Sequence, residues 1–376
     1  MCELTGEEAV IFSIGSFLSF ATLFKKNSKV IACIFLLYLW IVFGFNTYNG
    51  DYLVYELQYN RPELMEAGGK SFLYRKLIEF SSQHGLDFMQ FRAVISLIGL
   101  LFISSVVFKY TKYASFVFLC YFLSAFFIDV TQFRSFFASS IVIFAFHFMF
   151  EEGRPAVVKY VLCCSVASLI HPLCAVYLIF MLCRYFDLDK IRKIAVFVLC
   201  FSFVLYPLGI IKKIAVLFMD ESKSSYYFSG TFRTGGIIAW FFIIAAILLF
   251  AFLRNELNRA DVSEMKESDE NNKSAFQKEF VVCIEKITWL LLPLLPLLLY
   301  DVSSCFRIYR CMLPLIFTAL TVYCFEMDIH TKKNQKNMFS VLIFLYALGI
   351  GFEITQMHSV ENYLMSAIHN NYLLGG

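Results

Sequence analysis

Apolar residues in this chain gather in long, nearly uncharged runs, not in the alternation of a half-buried strand. The runs lie near 8–24, 30–46, 88–108, 113–129, 133–150, 156–170, 172–184, 193–210, 235–253, 280–300, 308–325 and 338–355. A helix crossing a bilayer needs about 17 to 25 mostly apolar residues, fewer where polar ends extend it. The pattern therefore predicts an all-α polytopic membrane protein, a single transmembrane domain over 1–376 with about 12 transmembrane or re-entrant helices. Two polar stretches interrupt it. Residues 46–87 form a long loop in which Phe72, Leu73, Leu77 and Phe80 recur at helical spacing, the pattern of an interfacial helix. Residues 254–279 form the other long polar linker, and no internal repeat is visible.

The segment 156–184 is apolar throughout, but His171-Pro172 stands in its middle. Proline lacks the amide proton a helix needs and disfavours helix at the residue before it. Two short helices joined at His171 are expected, partly re-entrant because each is short. Irregular backbone at that depth requires protein or water around it.

Orientation follows from the lysines. Lys25, Lys26 and Lys29, then Lys109 and Lys112, then Lys190 and Lys193, and finally Lys332, Lys333 and Lys336 fall on one side if the N-terminus is outside and the chain reverses at His171. That side is read as cytoplasmic. It makes 254–279 a cytoplasmic loop and 46–87 an external one. The acidic start, Glu3, Glu7 and Glu8, precedes an apolar run with no A-x-A-like cleavage site, so the first run is read as an uncleaved span.

Composition agrees. Charged residues make up 16% of the chain and hydrophobic ones 59%, too few charges for a soluble surface. A net charge of +3 gives no reason to expect nucleic acid. Most of the 12 cysteines lie within apolar runs, at no zinc spacing, and are read as small buried hydrophobes without disulfides.

The basic residues differ in kind between the two sides. Lysine dominates inside, whereas Arg61, Arg75, Arg92, Arg134, Arg233, Arg307 and Arg310 fall outside or at outer helix ends. Arginine offers a rigid fork for carboxylate or phosphate that a topology signal alone would not require. Arg134 follows Asp129 and Gln132; Arg307 and Arg310 are three apart and share a helical face after Asp301; His171 stands at the hairpin tip. Ionisable groups near the membrane core suggest function, although Asp301 with Arg307 and Asp129 with Arg134 also read as local ion pairs. In the loop, Gly50-Asp51-Tyr52 offers a carboxylate suited to acid–base work, beside tyrosines that equally suit an interfacial belt.

At these residues the chain resembles the EpsG family. Gly50-Asp51-Tyr52 with Tyr55 resembles the family's G-x-D-Y-x-x-Y stretch, and Phe133-Arg134-Ser135-Phe136-Phe137-Ala138 its Arg-Gln-x-x-Ala helix start. Ala167 to Ala175, with His171, resembles its A-x-x-x-H-x-S-A element, and Phe306-Arg307-Ile308-Tyr309-Arg310 its arginine-aromatic element. Ser135 stands where the family usually has glutamine, and Cys174 where a small polar residue is common. The family is similar to Wzy-type polysaccharide polymerases. The resemblance implies a GT-C-like helical glycosyltransferase that joins undecaprenyl-pyrophosphate-linked oligosaccharide repeat units at the outer leaflet of a bacterial cell membrane. It implies no metal and no cofactor, and places a chain-length regulator and a flippase of the same pathway among the partners. On this reading Arg134, Arg307, Arg310 and Arg233 hold the pyrophosphate, with Gln132, Tyr52 and Asp301 also at the substrate. His171 is the first candidate base and Asp51 the second.

Rival readings are a lipid-linked oligosaccharide flippase, a membrane acyltransferase using His171, a rhomboid-like protease and a scaffold. A flippase should carry cations along its whole path. An acyl donor usually comes from the cytoplasmic side. No G-x-S-x nucleophile stretch stands out for a protease.

Overall fold

The computed structural model describes the chain except residues 1–5, 66–70, 207, 211–212, 214–234, 261–270, 300–301, 328–332, 359–363, 369–370 and 374–376. Among the described residues every regular element is helical. These are α1 (Gly6–Phe24), α2 (Lys29–Gly44), α3 (Tyr52–Asn60), α4 (Phe72–Gln83), α5 (Phe88–Tyr110), α6 (Ala114–Thr131), α7 (Phe133–Met149), α8 (Arg154–Ile170), α9 (Leu188–Leu205), α10 (Gly235–Ala260), α11 (Asn271–Leu291), α12 (Val302–Arg310), α13 (Leu313–Phe325) and α14 (Lys333–His358). Five stretches are long and apolar enough to cross a bilayer: Phe88–Tyr110, Ala114–Thr131, Gly235–Asn255, Phe276–Leu298 and Lys336–Met357. Shorter apolar helices complete the bundle. The protein is thus an all-helical membrane protein.

Several differences from the expected segments have local causes. The run 308–325 is not one helix: Arg307 and Arg310 sit on the separate nine-residue α12, and Pro314 opens α13. Pro293 and Pro296 turn the end of the 280–300 run into short 3-10 and α pieces. The stretch 254–279 is helical at both ends, with α10 running to Ala260 and α11 starting at Asn271. The expected helix around Phe72 to Phe80 is α4, with Tyr74 and Ile78 buried and Phe80 exposed.

Phe17, Phe20 and Phe24 of α1, Phe197 and Phe201 of α9, Phe241 and Leu248 of α10 and Phe352 of α14 all face outward. So much exposed apolar surface requires lipid. Inside the bundle, close approach replaces the hydrophobic effect. A Cβ on Gly351 would overlap the Leu123 carbonyl oxygen, so glycine lets α14 lie against the π-helical turn Phe122–Phe126 within α6.

The lysine-bearing turns meet at one end. Lys26 Nζ donates to Ser340 Oγ at 2.9 Å, and Ser115 Oγ donates to the Lys26 carbonyl at 2.5 Å. The Lys112 amide donates to Glu326 Oε1 at 2.8 Å, and Gln277 Nε2 donates to Glu326 Oε2 at 2.8 Å. The opposite ends of α2 and α6 carry the Asp51 turn and Asp129.

The chain reverses at His171, which has extended backbone (φ −139°, ψ 109°). Its second leg is a ten-residue 3-10 helix, Pro172–Met181, followed by one α turn, Leu182–Tyr185. At about 2.0 Å per 3-10 residue and 1.5 Å per α residue, this leg covers roughly the same length as the longer α8. The shorter sequence therefore returns to the starting end, where Arg184 Nη1 donates to the Met149 carbonyl at 2.9 Å. Midway, the Tyr160 hydroxyl donates to the Tyr177 carbonyl at 3.0 Å.

Candidate functional site

Four segments deliver polar groups to the end of the bundle opposite the lysines. The first is the turn after α2. The Asn49 side chain accepts from the Asp51 amide at 3.1 Å, and the Asn49 carbonyl accepts from the Tyr52 amide at 3.0 Å, which starts α3. Asp51 occupies the N-cap position of α3, yet its side chain makes no capping bond. An N-cap aspartate with extended backbone ordinarily uses its carboxylate on the first helical amides; Asp51 has near-helical angles (φ −105°, ψ −1°) and does not. Burial pushes the Asp51 carboxyl above its ordinary value, while Arg307 and Arg134 pull the other way.

The second segment is the break between α6 and α7. Gln132 leaves helical geometry (φ −91°, ψ 51°), so Arg134 stands in the first turn of α7. Its Nη1 donates to Ser71 Oγ at 3.2 Å, and its guanidinium lies over the Tyr74 ring at 5.7 Å. The buried Tyr55 hydroxyl lies within electrostatic reach of both Arg134 and Arg307. The third and fourth segments meet where Arg307 of α12 donates from Nη1 to His171 Nε2 at 3.2 Å. The Nε atoms of Arg134 and Arg307 are buried with no hydrogen-bond partner among the described residues. Two half-buried guanidiniums thus act electrostatically on one carboxylate, each with donor capacity left over.

Behind this pair lies a buried network. Arg310, 1% exposed, donates from Nη2 to Gln132 Oε1 at 3.0 Å and pairs with Asp129 Oδ1 at 3.2 Å. Asp129 Oδ2 accepts from the Tyr121 hydroxyl at 2.7 Å, eight residues back across the π-helical turn. Asp129 is therefore the partner of Arg310 and not of Arg134. Arg310, expected on the pyrophosphate, has Gln132 and Asp129 as partners in this structure. Gln132 serves Arg310 and sits behind the open cluster.

Asp51, Arg134, His171 and Arg307 are brought together. Tyr52 is not among them: its buried ring packs on Phe88 at 5.1 Å and under the Arg92 guanidinium at 5.7 Å. Arg233 and Asp301 lie outside the described residues. Sequence reading had left out Tyr55, Ser71, Tyr74 and Tyr121 as site components. Tyr55 was legible from its place in the G-x-D-Y-x-x-Y stretch; the others carry no signal in their spacing. Among the described residues no three His, Cys, Asp or Glu side chains gather as metal ligands would.

Fold and site define a polytopic helical membrane protein with a cationic polar cluster at one end of its bundle. The chain belongs to the EpsG family, which it matches over residues 29–367. This is a family of Wzy-like polysaccharide polymerases of exopolysaccharide biosynthesis, so at family level the chain is a glycosyltransferase-like enzyme. No curated protein and no solved structure matches it.

Proposed function

We propose that this protein joins undecaprenyl-pyrophosphate-linked oligosaccharide repeat units by metal-independent glycosyl transfer at the outer leaflet of a bacterial cell membrane. A GT-C-like architecture, an outward-facing site, and a chain-length regulator and flippase as pathway partners belong to the same reading. The observation that supports it best is the uncapped Asp51 carboxylate within electrostatic reach of Arg134 and Arg307.

In the reaction an acceptor hydroxyl gives its proton to Asp51 as its oxygen bonds to the anomeric carbon of the donor sugar. The bond from that carbon to the pyrophosphate oxygen breaks, and the electron pair leaves with the lipid pyrophosphate. Arg134 and Arg307, with unused donors, stabilise the charge that grows there. Asp51 is preferred over His171 as the base because Arg307 already donates to His171 Nε2. Guanidinium nitrogens only donate, so that ring nitrogen is an acceptor and its lone pair is engaged. His171 then aims Arg307.

That Arg134 and Arg307 act on Asp51 at the end of the bundle opposite the lysine-bearing turns favours polymerisation over translocation. The test is purified protein in vesicles with lipid-linked repeat units. Polymer that forms in excess EDTA and disappears in Asp51→Asn supports the reading. Transport of the substrate without polymer, or polymer formed only with added magnesium or manganese, overturns it.

A further inference from the structure

Residues 366–367 and 371–372 are fastened to the turn that leads to Asp51. Asn371 and Asn46 form an isolated antiparallel bridge, and the Tyr372 amide donates to the Phe45 carbonyl at 2.9 Å. Asn371 Nδ2 donates to the Ile41 carbonyl in the last turn of α2 at 3.0 Å. In return, Asn46 Nδ2 donates to the carbonyls of Ser366 and Ala367 at 2.9 and 3.2 Å. Those two residues belong to a short buried turn, Ser366–Ile368, that packs between α2 and the Phe127–Thr131 end of α6. The C-terminal segment therefore touches both the Asp51 turn and the piece of helix that carries Asp129.

The link continues to Asp51 itself. Asn46 Oδ1 accepts from Asn49 Nδ2 at 2.8 Å, and Asn49 Oδ1 accepts from the Asp51 amide at 3.1 Å. Asn46, Asn49 and Asn371 are all at most 4% exposed. A terminal segment held only by apolar packing would not need three buried amides. Buried amides are costly unless paired, and what paired amides add is fixed geometry.

We propose that the C-terminal segment is a strap that sets the position of Asp51, with Asn46 and Asn49 as positioning residues that carry the constraint. The proposal rests on Asp51 being the acid–base group and says how that group is held. The strap's hydrogen bonds run to the turn before Asp51 and to α2, whereas the arginines hang from α7 and α12. Loosening the strap therefore slows turnover and leaves binding of the lipid-linked donor alone.

The test uses full-length protein in vesicles. Asn46→Ala removes the two side-chain bonds from Asn46 to the strap and the link to Asn49. It is expected to lower kcat by about 10- to 100-fold, the scale on which small misplacements of a reacting group act, with KM for the donor within about two-fold. Asn46→Asp is expected to behave like Asn46→Ala, because a carboxylate cannot donate to the Ser366 and Ala367 carbonyls. Asn371→Ala, which removes one bond to α2, should move kcat in the same direction by less and serves if Asn46→Ala does not fold. A second readout needs no catalysis: in an Asp51→Cys background, adding Asn371→Ala should change the rate of labelling by a water-soluble maleimide several-fold. Unchanged kcat together with an unchanged labelling rate overturns the strap. If Asp51→Asn alone keeps full activity, the acid–base reading fails instead, and the labelling arm still decides whether the strap holds the turn.

Discussion

Arg307 donates from Nη1 to His171 Nε2 across 3.2 Å, which joins the tip of the proline-broken hairpin to α12. The bond fixes the imidazole with Nε2 as acceptor and its proton on Nδ1. If His171 serves to aim Arg307, another neutral acceptor should replace it in part. His171→Gln is expected to retain at least about ten times the polymerase rate of His171→Ala, the gap a hydrogen bond to a charged group of roughly 1.5 kcal/mol or more would make. Equal loss in both variants, measured by initial rates at matched protein level, would return the base role to His171.

As the proposed base, Asp51 is expected to set the acid side of the pH profile. Burial raises its carboxyl above the ordinary value, and Arg307 and Arg134 oppose the rise. A base must be deprotonated, so activity should fall as pH drops through this raised value, at a higher pH than a solvent-exposed aspartate would give. Removing either opposing charge lets the value rise further. In Arg134→Gln the acid limb of the residual activity should therefore move to higher pH. A limb that moves to lower pH, or not at all, contradicts the electrostatic coupling of the two residues.

Arg134 tests the fork. Its Nη1 holds Ser71 Oγ, its plane lies on Tyr74, and its Nε is buried with donor capacity unused. A lysine keeps the charge but not the planar set of donors. Arg134→Lys should lose polymerisation by about 100-fold or more, close to Arg134→Ala, on the scale seen when one charge-stabilising donor is removed. Full activity of Arg134→Lys at normal protein level would rule out the bidentate role.

Asp129 and Arg310 should behave as a structural unit. The pair is buried and its other oxygen is held by Tyr121. Asp129→Ala strands a buried guanidinium and is expected to cost about 3–5 kcal/mol of stability. The double change Asp129→Ala with Arg310→Met should cost less than the sum of the single changes. Thermal unfolding in detergent reads both, and strict additivity would show that the two side chains do not depend on each other.

Topology can be read independently of activity. Reporter fusions after Lys336 should read cytoplasmic, and fusions after Gly230 external. The same compartment for both would mean that the chain does not reverse at His171 as a hairpin across the bundle.

What the amino-acid sequence determined by itself was local. A bilayer leaves backbone groups no partner but each other, so each long apolar run had to become helix, and His171-Pro172 had to interrupt one. Membership of a short motif was legible too, which is why Asp51, Arg134, His171 and Arg307 could be named from their neighbours in the chain. Pairing was decided only by the tertiary structure. Asp129 and Arg134 are close in sequence, but the helix breaks at Gln132, and Asp129 turns to Arg310. Arg307 and Arg310 share one short helix, yet the first meets His171 and the second is sealed behind it. The bond from Asn46 to Ser366 and Ala367 joins opposite ends of the chain, and no spacing rule anticipates it. Local hydrogen bonding dictates helices; which charge meets which depends on how those helices pack, and that is a property of the whole bundle.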